Sequence, residues 1–314
     1  MIKSAITFFC ENKSLYWILT ITILAPIFIT NCQTQSQNLV DPGEINKNAI
    51  IYASQTINDN SDNTGLVNIY IINPDHPEKA NIVPLPTGSS DPSWSPDKSS
   101  IAFVQTSEEG RFIYNSNTNG TEIRRLTNSH DTQPNWSPNT GNIVFTSYRS
   151  GSPGIYKIDT NGNNLEQVID SEFQEKDPAW SEQAEEILYI SDVTGNFEIY
   201  SINLQTKDVS QLTNSPENKF APNLSPNGKY LAFHSSIEEQ NNLDIYTLEL
   251  DTNKIQRITY DSGWDTSPEW NSAGNKLTFV STRDGNQDIY IIELSTTKIT
   301  RITKNPGSDV NPSW

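Results

Sequence analysis

The chain has 314 residues, 34% of them apolar and 19% charged, and 38 acidic against 21 basic side chains leave a net charge of −17. A surplus of that sign repels a phosphate backbone, so nonspecific nucleic-acid binding is set aside. Asn, Ser, Thr, Gly and Pro are abundant, one Met is present and Ala/Leu/Lys-rich stretches are missing, which excludes a helical bundle and predicts an all-β chain.

The N-terminus reads as a targeting segment. Leu15 to Thr30 form a nearly unbroken apolar run of 16 residues behind Lys3, Lys13 and one Glu11, the shape of an export signal. An uncleaved membrane helix is the alternative, but the run contains Pro26 and falls short of the roughly 20 apolar residues that a span needs. In both cases the residues after 32 are delivered across the membrane. Ile29-Thr30-Asn31-Cys32-Gln33 resembles the lipobox of bacterial lipoproteins. The resemblance implies cleavage before Cys32 and lipidation of its thiol, with Asn31 standing where Gly, Ala or Ser is usual. Residues 33–49 are polar and aperiodic and read as a tether. Both cysteines lie within the first 32 residues, so no disulfide staples the remainder.

From residue 50 a pattern repeats. Pro-Xaa-Trp ends at Trp94, Trp136, Trp180, Trp270 and Trp314, with Leu224 in the remaining slot, in steps of 42, 44, 44, 46 and 44 residues. Ile-Tyr recurs in the same phase at Tyr70, Tyr114, Tyr156, Tyr200, Tyr246 and Tyr290, and Leu/Ile-Thr at Thr127, Thr213, Thr259 and Thr303. A period near 44 residues is that of a four-stranded propeller blade. Within a unit, Pro-Xaa-Trp runs into a turn such as SPDKS or SPNGK, then into a strand apolar on nearly every residue (IAFV, IVFT, ILYI, LAFH, LTFV) and suited to burial on both faces. A polar turn leads to the Ile-Tyr strand, and a second turn to an outer strand.

The first recognisable strand, Ile50 to Ser54, lacks its Pro-Xaa-Trp partner, whereas the chain ends on an unaccompanied Val310-Asn311-Pro312-Ser313-Trp314. Pairing the two predicts a six-bladed β-propeller over residues 50–314, closed by the C-terminal strand completing the first blade. These repeats resemble the TolB-like family of six-bladed propellers, whose units read approximately Pro-Xaa-Trp-Ser-Pro-Asp-Gly, Ile-Ala-Phe-Xaa-Ser, Ile-Tyr and Leu-Thr. Members also finish on an incomplete Pro-Xaa-Trp strand. TolB proper carries an additional N-terminal domain where this chain has a tether.

No Gly-Xaa-Ser-Xaa-Gly, His-Glu-Xaa-Xaa-His, Cys-Xaa-Xaa-Cys or phosphate-binding glycine loop occurs, so no catalytic residue, metal ligand or cofactor is assigned. His76, His130 and His234 are read as solvated or packed, the repeat tryptophans as packing between blades, and Arg149 and Arg283 as fixing their turns. The position three residues before each repeat proline holds Ser89, Asp131, Glu175, Lys219, Asp265 and Asp309. Sixfold geometry places these at the start of the innermost strands. Asp131, Glu175, Asp265 and Asp309 are the candidate channel-rim binding residues, and capping of local turns is their alternative role.

The expectation is a non-enzymatic binding module of the cell envelope. It is monomeric, reaches the membrane only through its N-terminal anchor, and recognises a protein partner by the loops of its channel face. The rival is a propeller enzyme such as a metal-dependent carbohydrate lyase.

Overall fold

Runs that are apolar on nearly every residue form strands buried on both faces, and twenty-four strands with no helix make up the described part of the molecule. The computed structural model describes residues 45, 47–55, 66–181, 185–237 and 242–314. The apolar signal segment, Cys32 and most of the tether lie outside the described residues. At the tether's end Ala49 is buried and Ile45 packs against the same apolar cluster, so these last residues join the folded body.

In chain order the strands are β1 (Ile50–Gln55), β2 (Val67–Ile72) and β3 (Ala80–Ile82), followed by β4 (Ser89–Trp94), β5 (Ser100–Ser107), β6 (Gly110–Asn117) and β7 (Arg124–Arg125). Next come β8 (Asp131–Trp136), β9 (Asn142–Ser147), β10 (Gly154–Asp159) and β11 (Glu166–Gln167), then β12 (Glu175–Trp180), β13 (Glu186–Ser191), β14 (Glu198–Asn203) and β15 (Val209–Gln211). The series ends with β16 (Lys219–Leu224), β17 (Tyr230–Ser235), β18 (Asp244–Glu249), β19 (Lys254–Arg257), β20 (Asp265–Trp270), β21 (Lys276–Ser281), β22 (Asp288–Glu293), β23 (Lys298–Arg301) and β24 (Ser308–Ser313). They form six antiparallel four-stranded sheets, five of them consecutive in sequence and the sixth ordered β24-β1-β2-β3. The ring is a six-bladed propeller, and the expected closure is present: Ile51 pairs with Ser313 and Gln55 with Ser308. A side chain at Gly307 would collide with the Gln55 carbonyl oxygen, so the chain can enter the closing strand only where no Cβ stands in the way.

Each sequence marker has a physical cause. The aromatic of the Ile-Ala-Phe strand faces the tyrosine of Ile-Tyr across the pair: Tyr52 stacks on Tyr70, Phe103 on Tyr114, Phe145 on Tyr156, Tyr189 on Tyr200, Phe233 on Tyr246 and Phe279 on Tyr290. Such pairs add about 0.5–1.5 kcal/mol beyond burial. The Leu/Ile-Thr hydroxyls accept the N–H of the Ile-Tyr isoleucine at 2.9–3.0 Å, Thr127 from Ile113, Thr213 from Ile199, Thr259 from Ile245 and Thr303 from Ile289. Thr213, Thr259 and Thr303 donate in turn to Glu198, Asp244 and Asp288.

The tryptophans pack between blades, as expected. Trp94 lies in a cluster with Ile51 and Ile69 of the preceding blade, and Trp180 in one with Val144 and Ile155. Two of them are also tied across by hydrogen bonds from backbone and ring: Trp180 donates its backbone N–H to Asn135 Oδ1 at 3.2 Å and its indole Nε1–H to the Asn135 carbonyl at 3.1 Å, and Trp270 does the same to Asn223 at 3.0 and 3.1 Å.

Candidate functional site

The six innermost strands β4, β8, β12, β16, β20 and β24 enclose a channel with a cavity of about 520 Å³. In each of these strands the repeat proline and the residue before it stand opposite a single residue of the next strand, a bulge that breaks the register at the same place in every blade. The residue before the proline takes the left-handed conformation six times over, with φ from 47° to 56°: Asp91, Gln133, Asp177, Ala221, Ser267 and Asn311. Left-handed backbone is costly for a residue with a Cβ, and such strain persists only where the surroundings fix it.

Here the fixing comes from the neighbouring blade. Asp177 Oδ2 accepts the Ala221 N–H at 2.9 Å, Gln133 Oε1 accepts the Asp177 N–H at 3.4 Å, and Asp91 accepts the Gln133 N–H. The Gln133 amide also donates to Asp177, and the Asn311 amide to Asp91. Ala221 has no acceptor to offer the next blade. His234, from the adjacent strand β17, fills in by accepting the Ser267 N–H on Nδ1 at 3.3 Å. Burial lowers the His234 pKa from 6.5 to about 4, consistent with a neutral ring that can accept there. A polar belt thus lines the channel and joins blade to blade at five of the six junctions, from Asn311 round to Ser267.

Burial dominates the belt's electrostatics. Asp91 and Asp177 are both raised, chiefly by desolvation, although Arg111 Nη2 lies 3.2 Å from Asp91 Oδ2. Glu269, two residues beyond Ser267, is raised from 4.5 to about 8 by desolvation, and it accepts a hydrogen bond from Asn223 Nδ2 on Oε2 at 3.0 Å.

The residues expected at the channel rim do open the innermost strands, but they turn into the blades. Asp131, Lys219, Asp265 and Asp309 are 0% exposed and Glu175 is 3% exposed, and none lines the cavity. Each has a partner that sequence spacing alone did not assign. Arg149 bridges to both oxygens of Asp131 at 3.1 Å and Arg283 to both of Asp265 at 2.9 Å, so these arginines hold the innermost strands and not merely their own turns. Asp309 takes two bonds from the Asn305 amide, at 2.9 and 2.7 Å. Glu175 accepts from Ser171, and Ser89 Oγ donates to Gln105 Oε1 at 2.8 Å. In the blade with Lys219 the charge is reversed, and Glu198 is its counter-ion at 3.2 Å.

The other histidines are placed apart from the belt. His76 is exposed beside Glu78, and His130 packs edge-on against Tyr148. Among the described residues no group of three or more His, Cys, Asp or Glu side chains is arranged to hold a metal ion. Sequence reasoning missed the belt. Its signal was present, since polar residues precede five of the six repeat prolines, but their varied chemistry hid a common role.

The ring opens on one face where the innermost strands begin. That face carries exposed aromatics: Tyr260 is 70% exposed, Trp264 55%, Phe173 44% and Tyr148 39%. The loop bearing the first two is braced. Asp261 Oδ1 accepts the Gly263 N–H at 2.9 Å, the Asn242 amide donates to the Asp261 carbonyl at 2.8 Å, and Gly263 packs against the Arg283 backbone so closely that a Cβ there would clash.

Comparison with known proteins agrees with this architecture. The structure is similar to TolB from Acinetobacter baumannii, at 19% identity and a TM-score of 0.74, over 85% of this chain and 66% of that one. The chain therefore spans slightly less than two thirds of that relative. A putative TolB from Agrobacterium tumefaciens gives 17% identity and a TM-score of 0.64, over 84% and 89% of the two chains. An oligogalacturonate lyase in complex with manganese gives 12% identity and a TM-score of 0.54, over 76% and 73%. At such identities the likeness is one of fold alone. A comparison with curated protein sequences finds no match. The family model described as the TolB beta propeller domain matches residues 63–219 and, again, 158–314, so that all but the first strand of the ring is covered. The chain belongs to the TolB β-propeller domain family.

Proposed function

We propose that this propeller is a non-enzymatic binding module of the cell envelope. It is exported by its apolar N-terminal segment and held at the membrane through lipidated Cys32, and as a monomer it docks another protein on the face where the innermost strands begin. The observation that carries the reading is the braced loop presenting Tyr260 and Trp264 to solvent. Rigid, exposed Tyr and Trp are the residue types that dominate protein interfaces, because they bring large contact area with little conformational entropy to lose. Asp131, Glu175, Asp265 and Asp309 support this surface from beneath by fixing the strands from which its loops spring.

Crosslinking in intact cells through a photoreactive side chain at Phe173 is the test. A single envelope protein is expected in the adduct, and Tyr260→Ala with Trp264→Ala should reduce its yield about tenfold or more without lowering the unfolding midpoint. No adduct, or an adduct indifferent to the double substitution, excludes this face as the docking surface.

A further inference from the structure

The exposed aromatics of the docking face stand in a one-sided electrostatic setting. Phe173 lies on the connection that enters β12, and Tyr260 and Trp264 lie on the one that enters β20. Between them along the mouth come the connections from β13 to β14, from β15 to β16 and from β17 to β18. Among the described residues of these five connections stand Asp170, Glu172, Asp192, Glu217 and Asp261, with no lysine or arginine.

The cations nearest this arc are spent inside the fold. Lys219 is buried against Glu198, Arg257 against Asp244, and Arg283 holds both oxygens of Asp265. No ion pair reaches any of the five acids among the described residues. Asp192 accepts the backbone and side-chain amides of Gln174, both at 2.9 Å, Glu217 accepts the Ser215 hydroxyl at 2.9 Å, and Asp261 accepts the Gly263 N–H. All of these donors are uncharged. A net charge of −17 does not by itself single out this arc, but the placing of the lysines does: exposed Lys79, Lys207, Lys229, Lys254 and Lys298 all lie at the opposite end of the blades.

Exposed rings and unpaired carboxylates attract the same kind of side chain. The head of Lys or Arg is drawn to the negative face of a ring and to a carboxylate, while its stem covers apolar surface. An acidic segment would meet like charge, and a neutral one would strip water from the acids without replacing it. We propose that the arc from Phe173 to Trp264 receives a lysine- or arginine-rich segment of the protein partner, its charges against the carboxylates and its stems against the rings. This rests on the docking reading above and names the partner's chemistry.

Fluorescence anisotropy of the full chain in detergent tests that chemistry, with a labelled decapeptide of alternating lysine and alanine and its glutamate counterpart as probes. Saturable binding of the lysine peptide alone is expected, weakening about tenfold or more as salt rises from about 0.05 M to about 0.5 M. Asp170→Asn with Glu172→Gln should weaken it about fivefold and Trp264→Ala about threefold, whereas Asp75→Asn with Glu78→Gln, at the opposite end of the blades, should leave it unchanged. In cells, the partner segment crosslinked at Phe173 should carry several lysines or arginines. No binding of the lysine peptide, equal binding of the glutamate peptide, equal losses from the two acid pairs, or a crosslinked segment without basic residues overturns the proposal. An adduct at Phe173 alongside any of these results leaves the docking face standing and removes only the chemistry assigned to its partner; absence of any adduct removes both.

Discussion

Glu269 shows how a single side chain can be read through its surroundings. Folding takes its carboxyl from about 4.5 to about 8, so across that interval the folded state binds more protons than the unfolded chain and loses stability as pH rises. His234 acts in the opposite sense, but its contribution is complete above 6.5, and Lys98, lowered by burial to about 8, adds stability only above that value. Between pH 6.5 and 8 the Glu269 contribution is therefore separable from those of its two titrating neighbours. Urea unfolding over this range is expected to show wild type losing about 2 kcal/mol more than Glu269→Gln. Parallel curves for the two proteins would mean that the carboxyl is ionised in the folded state.

A strand in this ring is held by more than its ladder. The threonine that closes a unit lends its hydroxyl to the middle strand, where it accepts an N–H and donates to an acid. Thr259→Val keeps the shape and removes both bonds, leaving the buried Ile245 N–H and Asp244 short of a partner. A cost of about 1–3 kcal/mol is expected from the shift in denaturation midpoint, with Thr259→Ser recovering most of it. Equal midpoints for Val and wild type would show that the hydroxyl is dispensable.

The threonine recurs as one residue type at one spacing, which made it visible in the sequence without any knowledge of its bonds. Ile-Tyr and Pro-Xaa-Trp were legible for the same reason, and with them the blade count and the closing strand. The belt was not, because Asp91, Gln133, Asp177, Ser267 and Asn311 share a backbone conformation and not a chemistry. The burial of Asp131 and Asp265 was hidden by the hairpin register: Asp131 pairs with Ser147 and Asp265 with Ser281, which brings Arg149 and Arg283, each two residues further on, back across to them.

At the scale of the whole molecule, closure rests on one strand. β24 covers the edge of β1, which carries the buried Ile50, Ile51 and Tyr52, and it contributes Asn311 to the belt. Deleting residues 308–314 opens the ring at that blade and interrupts the belt at once. The unfolding midpoint is expected to fall by about 10 °C or more, or the transition to lose its cooperativity. A truncated protein that melts like the intact one would show that the sixth sheet needs only three strands.

The same arrangement sets an order on the birth of the protein. Ile51 meets Ser313 only after nearly every intervening residue has left the ribosome, so the earliest sheet to be synthesised is the last to be finished. Until then its bare edge offers unpaired amides and carbonyls to any passing strand. A nascent chain of this design therefore needs shelter for longest at its oldest end.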